Sequence, residues 1–472
     1  MMRRWSILAG LTGVLAVLVL AGFAAGHTTV SAASQPQLTR YPYLTDVVSA
    51  GSTFNATINW ATDQSQTTAY ATYGQGGLES VTAHKVNGSK TSISVNGVAE
   101  YQWKAKVTGL KPGTLYDYRV FLNSPVVDLL GVDPSPSFTT PPASGPFSFA
   151  VIGDWGAKTN TPDQVNLLSQ LAKSGASFIL SAGDVAYASG NQANYGDLFQ
   201  TGTNISDVFA PSLFKNVGDS MPMFGAPGNH GFNSTFLNVW PEPTAPVLSA
   251  GRYQMDSYSL PGTTTTNYPS AWYAFSVGNA RFYVLTAAWA NTNVGTGTLY
   301  SNDYAAHWTP SSPEYQWLAN DLATHPAALK FAVFHFPMYS DNSSETTDSY
   351  LHGPNSLAAL LTQYGVQFVF NGHAHIYERN LQQPGESFVS YVTGGGGELL
   401  EPIGSHGTSP FDAFGLGWSY SSNKGSATGA AARPTSTSQV FSFLLVTVTS
   451  SQVTVTPINS LGQSFDVVTY GY

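Results

Sequence analysis

The chain has 472 residues, enough for two or three domains and several buried cores. Its formal charge is −9, from 18 Lys and Arg against 27 Asp and Glu, which argues against nucleic acid or an anionic membrane face as main partner. Cysteine is absent, which removes disulfides, zinc–thiolate sites, iron–sulfur clusters and thiol nucleophiles, and a hydrophobic content of 42% excludes a disordered chain.

Arg3 and Arg4 precede an uncharged apolar run over residues 5–25, followed by small residues that include Val30, Ser31 and Ala32. That order reads as a secretory signal over 1–32, with the mature chain starting near Ala33 and working outside the cytoplasm, secreted or periplasmic. The run is close to the roughly 20 residues that span a bilayer, so an uncleaved, outward-facing anchor is the alternative. No later segment is apolar enough to cross a membrane, so no membrane contact is expected after cleavage. Oligomeric state is not legible.

Residues 38–141 read as short strands broken by Gly, Ser, Asn and Thr. Ala56, Ile58 and Trp60 share one parity and Thr57 and Asn59 the other, which predicts a half-buried strand. Another alternating run covers 116–121. A Trp on an early strand and a Tyr at a strand corner resemble a fibronectin type III-like β-sandwich. Pro141, Pro142, Gly145 and Pro146 form a semi-rigid joint that closes this domain.

From 146 to 472 the pattern changes. Apolar runs of strand length end in polar clusters: 147–152 in Gly153-Asp154-Trp155-Gly156, 178–180 in Gly183-Asp184-Val185-Ala186-Tyr187, 221–226 in Gly228-Asn229-His230, 331–334 in His335, and 366–370 in Asn371-Gly372-His373-Ala374-His375. A further run, 281–288, ends in no ligand-type residue. Helical patterns fall at 164–171, at 313–322 with Ser311 or Ser312 as cap, and at 356–361. Apolar strands alternating with helices predict a sheet covered on both faces, with its site at the carboxyl ends of the strands. Alternation returns at 446–448, 453–455 and 465–470, a closing antiparallel meander that makes the sheet mixed. The Ser- and Gly-rich stretch 415–434 reads as a long surface loop.

Asp154, Asp184, Tyr187, Asn229, His335, His373 and His375 are seven metal-binding side chains, all expected at strand ends of one sheet. His373 and His375 are two apart, so an extended segment would face both to one side. Singly, an Asp after a strand is a turn former and a lone His a core residue. Five such coincidences in one order point to a metal centre.

The five clusters resemble the motif blocks of metallophosphoesterases, the calcineurin-like phosphoesterases. Gly156 stands where most of that superfamily has His, and Tyr187 follows the second Asp by three, so the subtype resembles purple acid phosphatases. Ile376-Tyr377-Glu378-Arg379, Tyr391-Val392-Thr393-Gly394 and the fibronectin-like domain in front fit the same resemblance. It implies an αββα catalytic domain with mixed β-sheets. By motif, site one would hold Asp154, Asp184, Tyr187 and His375, and site two Asp184, Asn229, His335 and His373. Site one collects about three negative charges on hard oxygens, which suits Fe(III), and site two suits a divalent ion, Zn, Mn or Fe(II).

The resemblance further implies a secreted acid phosphatase acting on small phosphomonoesters, with a metal-bound hydroxide attacking phosphorus. His230 would donate a proton to the leaving group, and Asn229, His230 and His352 would contact substrate. A phosphodiesterase or nucleotide hydrolase, or an inactive surface binding protein of the same fold, are the alternatives. The sequence departs from the plant-type pattern at Gly231, where an acidic residue is usual. It departs again at Glu345, where many members carry an outer His that His352 would replace, and at Thr286-Ala287, where an Asp often ends the strand. Glu378 and Arg379 read as a salt-bridged pair, residues 394–397 as a tight turn or phosphate cradle, and Trp155 as a pocket wall or packing.

Overall fold

The computed structural model describes residues 37–156, 161–187, 190–199, 208–230, 239, 249–258, 266–287, 310, 313–344, 347, 351–404 and 412–472. The N-terminal apolar run read above as an export signal, and Ser311, Ser312, Gly231 and Glu345, lie outside these residues. Among the described residues no helix is long and apolar enough to cross a membrane.

The N-terminal part consists of strands β1 (Leu38–Ala50), β2 (Thr53–Asp63), β3 (Ala69–Gln75), β4 (His84–Asn87), β5 (Ser89–Val95), β6 (Val98–Leu110), β7 (Leu115–Asn123), β8 (Val126–Asp128) and β9 (Ser137–Thr139). They form two antiparallel sheets, ordered β1-β2-β6-β5 and β4-β3-β7-β8, with β9 also on β7. Ile58, Trp60, Trp103, Tyr118 and Val120 meet between them. Trp60 and Trp103 stack at 6.2 Å. The Tyr116 hydroxyl accepts the Lys111 N–H at 2.9 Å, pinning the β6–β7 corner.

The half-buried reading of β2 is corrected here: its second face is covered too, and Asn59 is buried. Asn59 Nδ2 donates to Thr45 Oγ1 on β1 at 3.0 Å. On that same face Tyr43 packs its ring 5.0 Å from Phe209 and 6.3 Å from Phe214 of the following domain. Alternation marks which side chains are polar, and a second domain supplied the cover.

The rest of the chain adds β10 (Phe147–Ile152), α1 (Pro162–Ala172), β11 (Ile179–Ser181), α2 (Gln192–Tyr195), β12 (Met223–Gly225), β13 (Ser249–Tyr258), β14 (Thr266–Val277), β15 (Ala280–Val284), β16 (Leu329–Val333), β17 (Phe368–Asn371), β18 (Tyr377–Asn380), β19 (Val389–Thr393), β20 (Asp412–Ser419), β21 (Lys424–Gly429), β22 (Ser442–Val448), β23 (Gln452–Asn459) and β24 (Val468–Gly471). Among the described residues two mixed sheets result. One runs β12-β11-β10-β22-β23-β24, the other β13-β14-β15-β16-β17-β19-β18-β20-β21. β10, β11 and β12 are parallel, as are β15, β16, β17 and β19, while β22 joins β10 antiparallel as the closing meander requires.

The sheets face each other through an aromatic core. Phe149 on β10 lies 5.1 Å, edge-on, from both Phe282 on β15 and Phe331 on β16. Helices Pro313–Thr324 and Leu357–Gln363 cover the outer side of the larger sheet, with Leu318, Leu322, Leu357, Leu360 and Leu361 against Ala332, Phe334 and Val369. Thr161 caps α1, accepting the Gln164 N–H at 3.2 Å, and Leu167, Leu168 and Leu171 bury its inner stripe.

Two further expectations are corrected. The site-bearing strands belong to two facing sheets rather than one, because a buried run has the same apolar pattern whichever sheet it enters. The stretch 415–434, read as a loop, contains most of the β20–β21 hairpin, in which Gly415 to Gly417 pair with Thr428 to Ser426. Gly417 sits where a side chain would strike neighbouring backbone: a Cβ there would collide with the Glu401 carbonyl oxygen.

Candidate metal centre

The smaller sheet delivers Asp154, Asp184 and Asn229 from the loops after β10, β11 and β12, and the larger one delivers His335 after β16 and His373 and His375 after β17. The turns are sharp. Asp154 (φ 55°), Asp184 (φ 50°) and His373 (φ 67°) all sit in the left-handed region. For His373 this is a sparsely populated conformation, held in part by its N–H bond to Asp154 Oδ2 at 2.9 Å. The expected extended His373–His375 segment is therefore replaced by a tight turn, closed by Ala374 N–H to Gly372 O at 2.8 Å and Ile376 N–H to Ala374 O at 2.7 Å.

All seven donors converge, and their contacts sort into two groups. On one side the Tyr187 hydroxyl donates to Asp154 Oδ1 at 3.0 Å, and His375 Nε2 lies 3.3 Å from that hydroxyl and 3.4 Å from Asp154 Oδ1. On the other, His335 Nε2 lies 2.8 Å from Asn229 Oδ1 and 3.3 Å from Asp184 Oδ2, with the His373 ring 5.0 Å from that of His335. Asp154, Asp184 and His335 are buried and join the groups, each offering an atom within 4.8 Å of the other two.

Backbone carbonyls orient the imidazoles. His335 Nδ1 faces Ala182 O and His375 Nδ1 faces Leu399 O, both at 2.8 Å. A carbonyl only accepts, so each Nδ1 carries a proton and Nε2 is the atom turned inward. Glu401 was missed from sequence, although its Oε2 accepts the His375 N–H at 3.2 Å and the Asn342 amide at 2.8 Å. Nothing near Glu401 repeats a ligand pattern, and the backbone acceptors carry no residue-type signal at all.

Charge inside the cluster is unbalanced. Burial opposes ionisation of Asp184, yet His335, His230 and His373 overcome it and hold the carboxyl well below its usual range. Burial lowers His335 and His375, but Asp184 raises the first to about 9 and Asp154 the second to about 10. Burial, then Asp154, Asp184 and Glu398, raises Tyr187 well above 10. Two buried carboxylates thus draw positive charge in, as protons on histidine or as cations. An O- and N-donor set of this kind fits metal ions at both groups.

The remaining expectations resolve as follows. His230 borders the cluster: its N–H donates to Asp184 Oδ1 at 2.8 Å and its ring lies 4.7 Å from that of Tyr187. His352 has Nε2 2.7 Å from Met338 O and Nδ1 3.8 Å from Glu386. Glu378 and Arg379 do not pair, because neighbours on a strand point to opposite faces. Arg379 binds Asp466 at 2.7 and 2.8 Å, and Glu378 Oε2 accepts the Asp341 N–H at 2.9 Å. The 394–397 glycines pack beneath the Asp154 loop, where Gly396 N–H donates to Gly153 O at 3.1 Å and Glu398 N–H to Asp154 O at 2.9 Å. Trp155 packs as well, stacked 5.2 Å from Phe214 with Nε1 donating to Ser181 Oγ at 3.2 Å.

Fold and donor set together define a layered protein with a candidate metal centre at the strand ends of two facing sheets. A family model described as calcineurin-like phosphoesterase matches residues 147–377, and one described as the purple acid phosphatase N-terminal domain matches residues 46–140. Purple acid phosphatase 15 of Arabidopsis thaliana is 27% identical over 304 residues, covering 58% of this chain and 48% of that protein. Tartrate-resistant acid phosphatase type 5 of Oryctolagus cuniculus is 28% identical over 284 residues, covering 55% of this chain and 75% of that protein. A purple acid phosphatase from yellow lupin (Lupinus luteus) seeds superposes with a TM-score of 0.65 at 15% identity, covering 92% of this chain and 74% of that one. The chain belongs to the metallophosphoesterase superfamily as a purple acid phosphatase-like member. It spans about half the length of the Arabidopsis relative.

Proposed function

We propose that this chain is a dinuclear-metal acid phosphatase that hydrolyses small phosphate monoesters outside the cytoplasm, exported by its N-terminal segment. The observation that carries the reading is the buried trio Asp154, Asp184 and His335, with Tyr187 and His375 gathered at one end and Asn229 and His373 at the other. Asp154, Asp184, Tyr187 and His375 would hold Fe(III), whose hardness matches carboxylate and phenolate oxygen. Asp184, Asn229, His335 and His373 would hold a divalent ion, Zn, Mn or Fe(II), with Asp184 shared. When bound, such a pair supplies Lewis-acid charge for a phosphoryl oxygen and a water acidic enough to react below neutral pH.

The chain's own groups do the rest. Asp184 keeps both oxygens engaged, Oδ1 with the His230 N–H and Oδ2 toward His335, so its carboxylate plane is fixed before substrate arrives. Ala182 O and Leu399 O hold the His335 and His375 rings with Nε2 inward. His230, half-buried at the edge of the cluster beside Tyr187, is the group that gives the leaving alkoxide its proton.

Elemental analysis and a visible spectrum of the purified protein, followed by p-nitrophenyl phosphate and its bis ester across acidic pH, test the reading. Two metals per chain, a visible band and preference for the monoester are expected. Preference for the bis ester would move the assignment to a phosphodiesterase. Bound metals without turnover of either would make the chain a binding protein.

A further inference from the structure

Tyr187 is the donor farthest from a strand, six residues past the end of β11 and five before α2. The Tyr187 N–H donates to Gly156 O at 3.2 Å, and Gly190 N–H donates to Ala186 O at 2.9 Å. Beyond Gly190 the segment is gripped from the other domain by Arg40 of β1. The guanidinium is fully buried. Its Nε donates to Gly196 O at 2.9 Å, Nη2 to Gln192 Oε1 at 2.7 Å and to Gln192 O at 3.4 Å, and Nη1 to Gln102 Oε1 at 3.3 Å.

These acceptors bracket α2 at its first residue and its C-cap, so one planar fork fixes both ends of the turn. The backbone adds Leu198 N–H to Thr39 O at 2.8 Å, and Phe209 lies 4.7 Å beneath the guanidinium. Glu100 and Asp197 lie close by to oppose its charge, with the Glu100 carboxyl raised to about 8 by burial and its hydrogen bond with Asp197. A second route runs from β1 to the same centre: Tyr43 packs on Phe214, and Phe214 stacks on Trp155, the neighbour of Asp154. The Tyr187 hydroxyl must sit within 3.0 Å of Asp154 and 3.3 Å of His375. A displacement of about 1 Å in such a group costs on the order of a hundredfold in rate.

We propose that Arg40 is a positioning residue for the Tyr187 arm of the metal centre, which makes the N-terminal sandwich a working part of the site's geometry. The inference rests on the metal reading above. Arg40 touches neither metal nor substrate and acts through α2 and the Gly190 N–H bond to Ala186 O. Lysine cannot replace it, because a single ammonium lacks the fork that reaches Gly196 and Gln192 together.

The test uses the full chain with Arg40→Met and Arg40→Lys. In the metal-loaded protein, Arg40→Met is expected to shift or weaken the visible band and to lower kcat about tenfold or more with KM within about twofold, and Arg40→Lys to restore only part of either. In the metal-free protein, amide exchange at Tyr187 and Gly190 is expected to quicken at least about tenfold while β11 stays protected. Should Arg40→Met fail to fold, Gln192→Ala removes one acceptor and keeps the guanidinium, and the same changes, smaller, are expected. A lower melting midpoint with band, kcat and Tyr187 exchange unchanged would overturn the positioning role. A wild-type protein that binds no metal would sink the metal reading instead, while the exchange measurement would still decide the role of Arg40.

Discussion

Asp154 is held from both sides by residues far along the chain: Tyr187 donates its hydroxyl to Oδ1 at 3.0 Å, and His373 donates its N–H to Oδ2 at 2.9 Å. The first bond joins two loops of the smaller sheet, and the second crosses 219 positions to the larger one. One carboxylate therefore ties the two sheets together at the proposed metal site.

Tyr187→Phe removes the phenol and keeps the ring. The visible band of the metal-loaded protein is expected to disappear, while unfolding stability changes by no more than about 1 kcal/mol, the usual worth of one hydrogen bond. Absorption spectra of both proteins at equal metal content check this, and an unchanged band would show that the phenol is not a ligand.

Asp184→Ala takes away the carboxylate shared by both groups. Metal content is expected to fall at both sites and kcat/KM by far more than the roughly 10–100-fold that loss of an outer partner costs. Metal analysis with a turnover assay decides it; retained activity would remove the bridging role.

Without metal, stability should depend on pH in a definite sense. His335 and His375 are raised from 6.5 to about 9 and about 10, so their pairing with Asp184 and Asp154 is fully present below pH 6.5. It is lost as pH climbs through 9 and 10. Asp184 is depressed, so its contribution is present above the ordinary carboxyl value of 3.8 and lost as pH falls below it. Urea midpoints of metal-free protein should therefore decline from pH 6.5 to 10. Metal loading should flatten that decline, because cations replace the protons. A flat profile in the metal-free protein would contradict the charge balance.

Gly228 and Gly372 leave space that the carboxylates occupy. A Cβ at Gly228 would collide with Asp184 Oδ1, and one at Gly372 would lie 2.5 Å from Asp154 Oδ2. Gly228→Ala and Gly372→Ala are each expected to cost about 1–3 kcal/mol, the range for overpacking, and to weaken metal binding. Calorimetric melts with metal titrations check both, and wild-type affinity in either variant would show that the site tolerates the shift.

Much of this molecule was legible before any coordinates. Apolar runs ending in ligand residues identified the strands and loops that carry the site, because a buried strand must be apolar and its polar residues collect where it emerges. Residue chemistry alone named Asp154, Asp184, Tyr187, Asn229, His335, His373 and His375, since few side chains bind hard cations and their order along the chain is distinctive.

Tertiary structure decided what periodicity does not encode. It divided the strands between two facing sheets, covered the second face of β2 with Phe209 and Phe214, turned 415–434 into a hairpin and separated Glu378 from Arg379. It also enlisted the Ala182 and Leu399 carbonyls to aim the imidazoles and Arg40 to hold the segment beyond Tyr187. Each of these depends on what lies across a gap in space. Local sequence determines which groups a strand or loop offers, and only the folded chain determines which surface meets them.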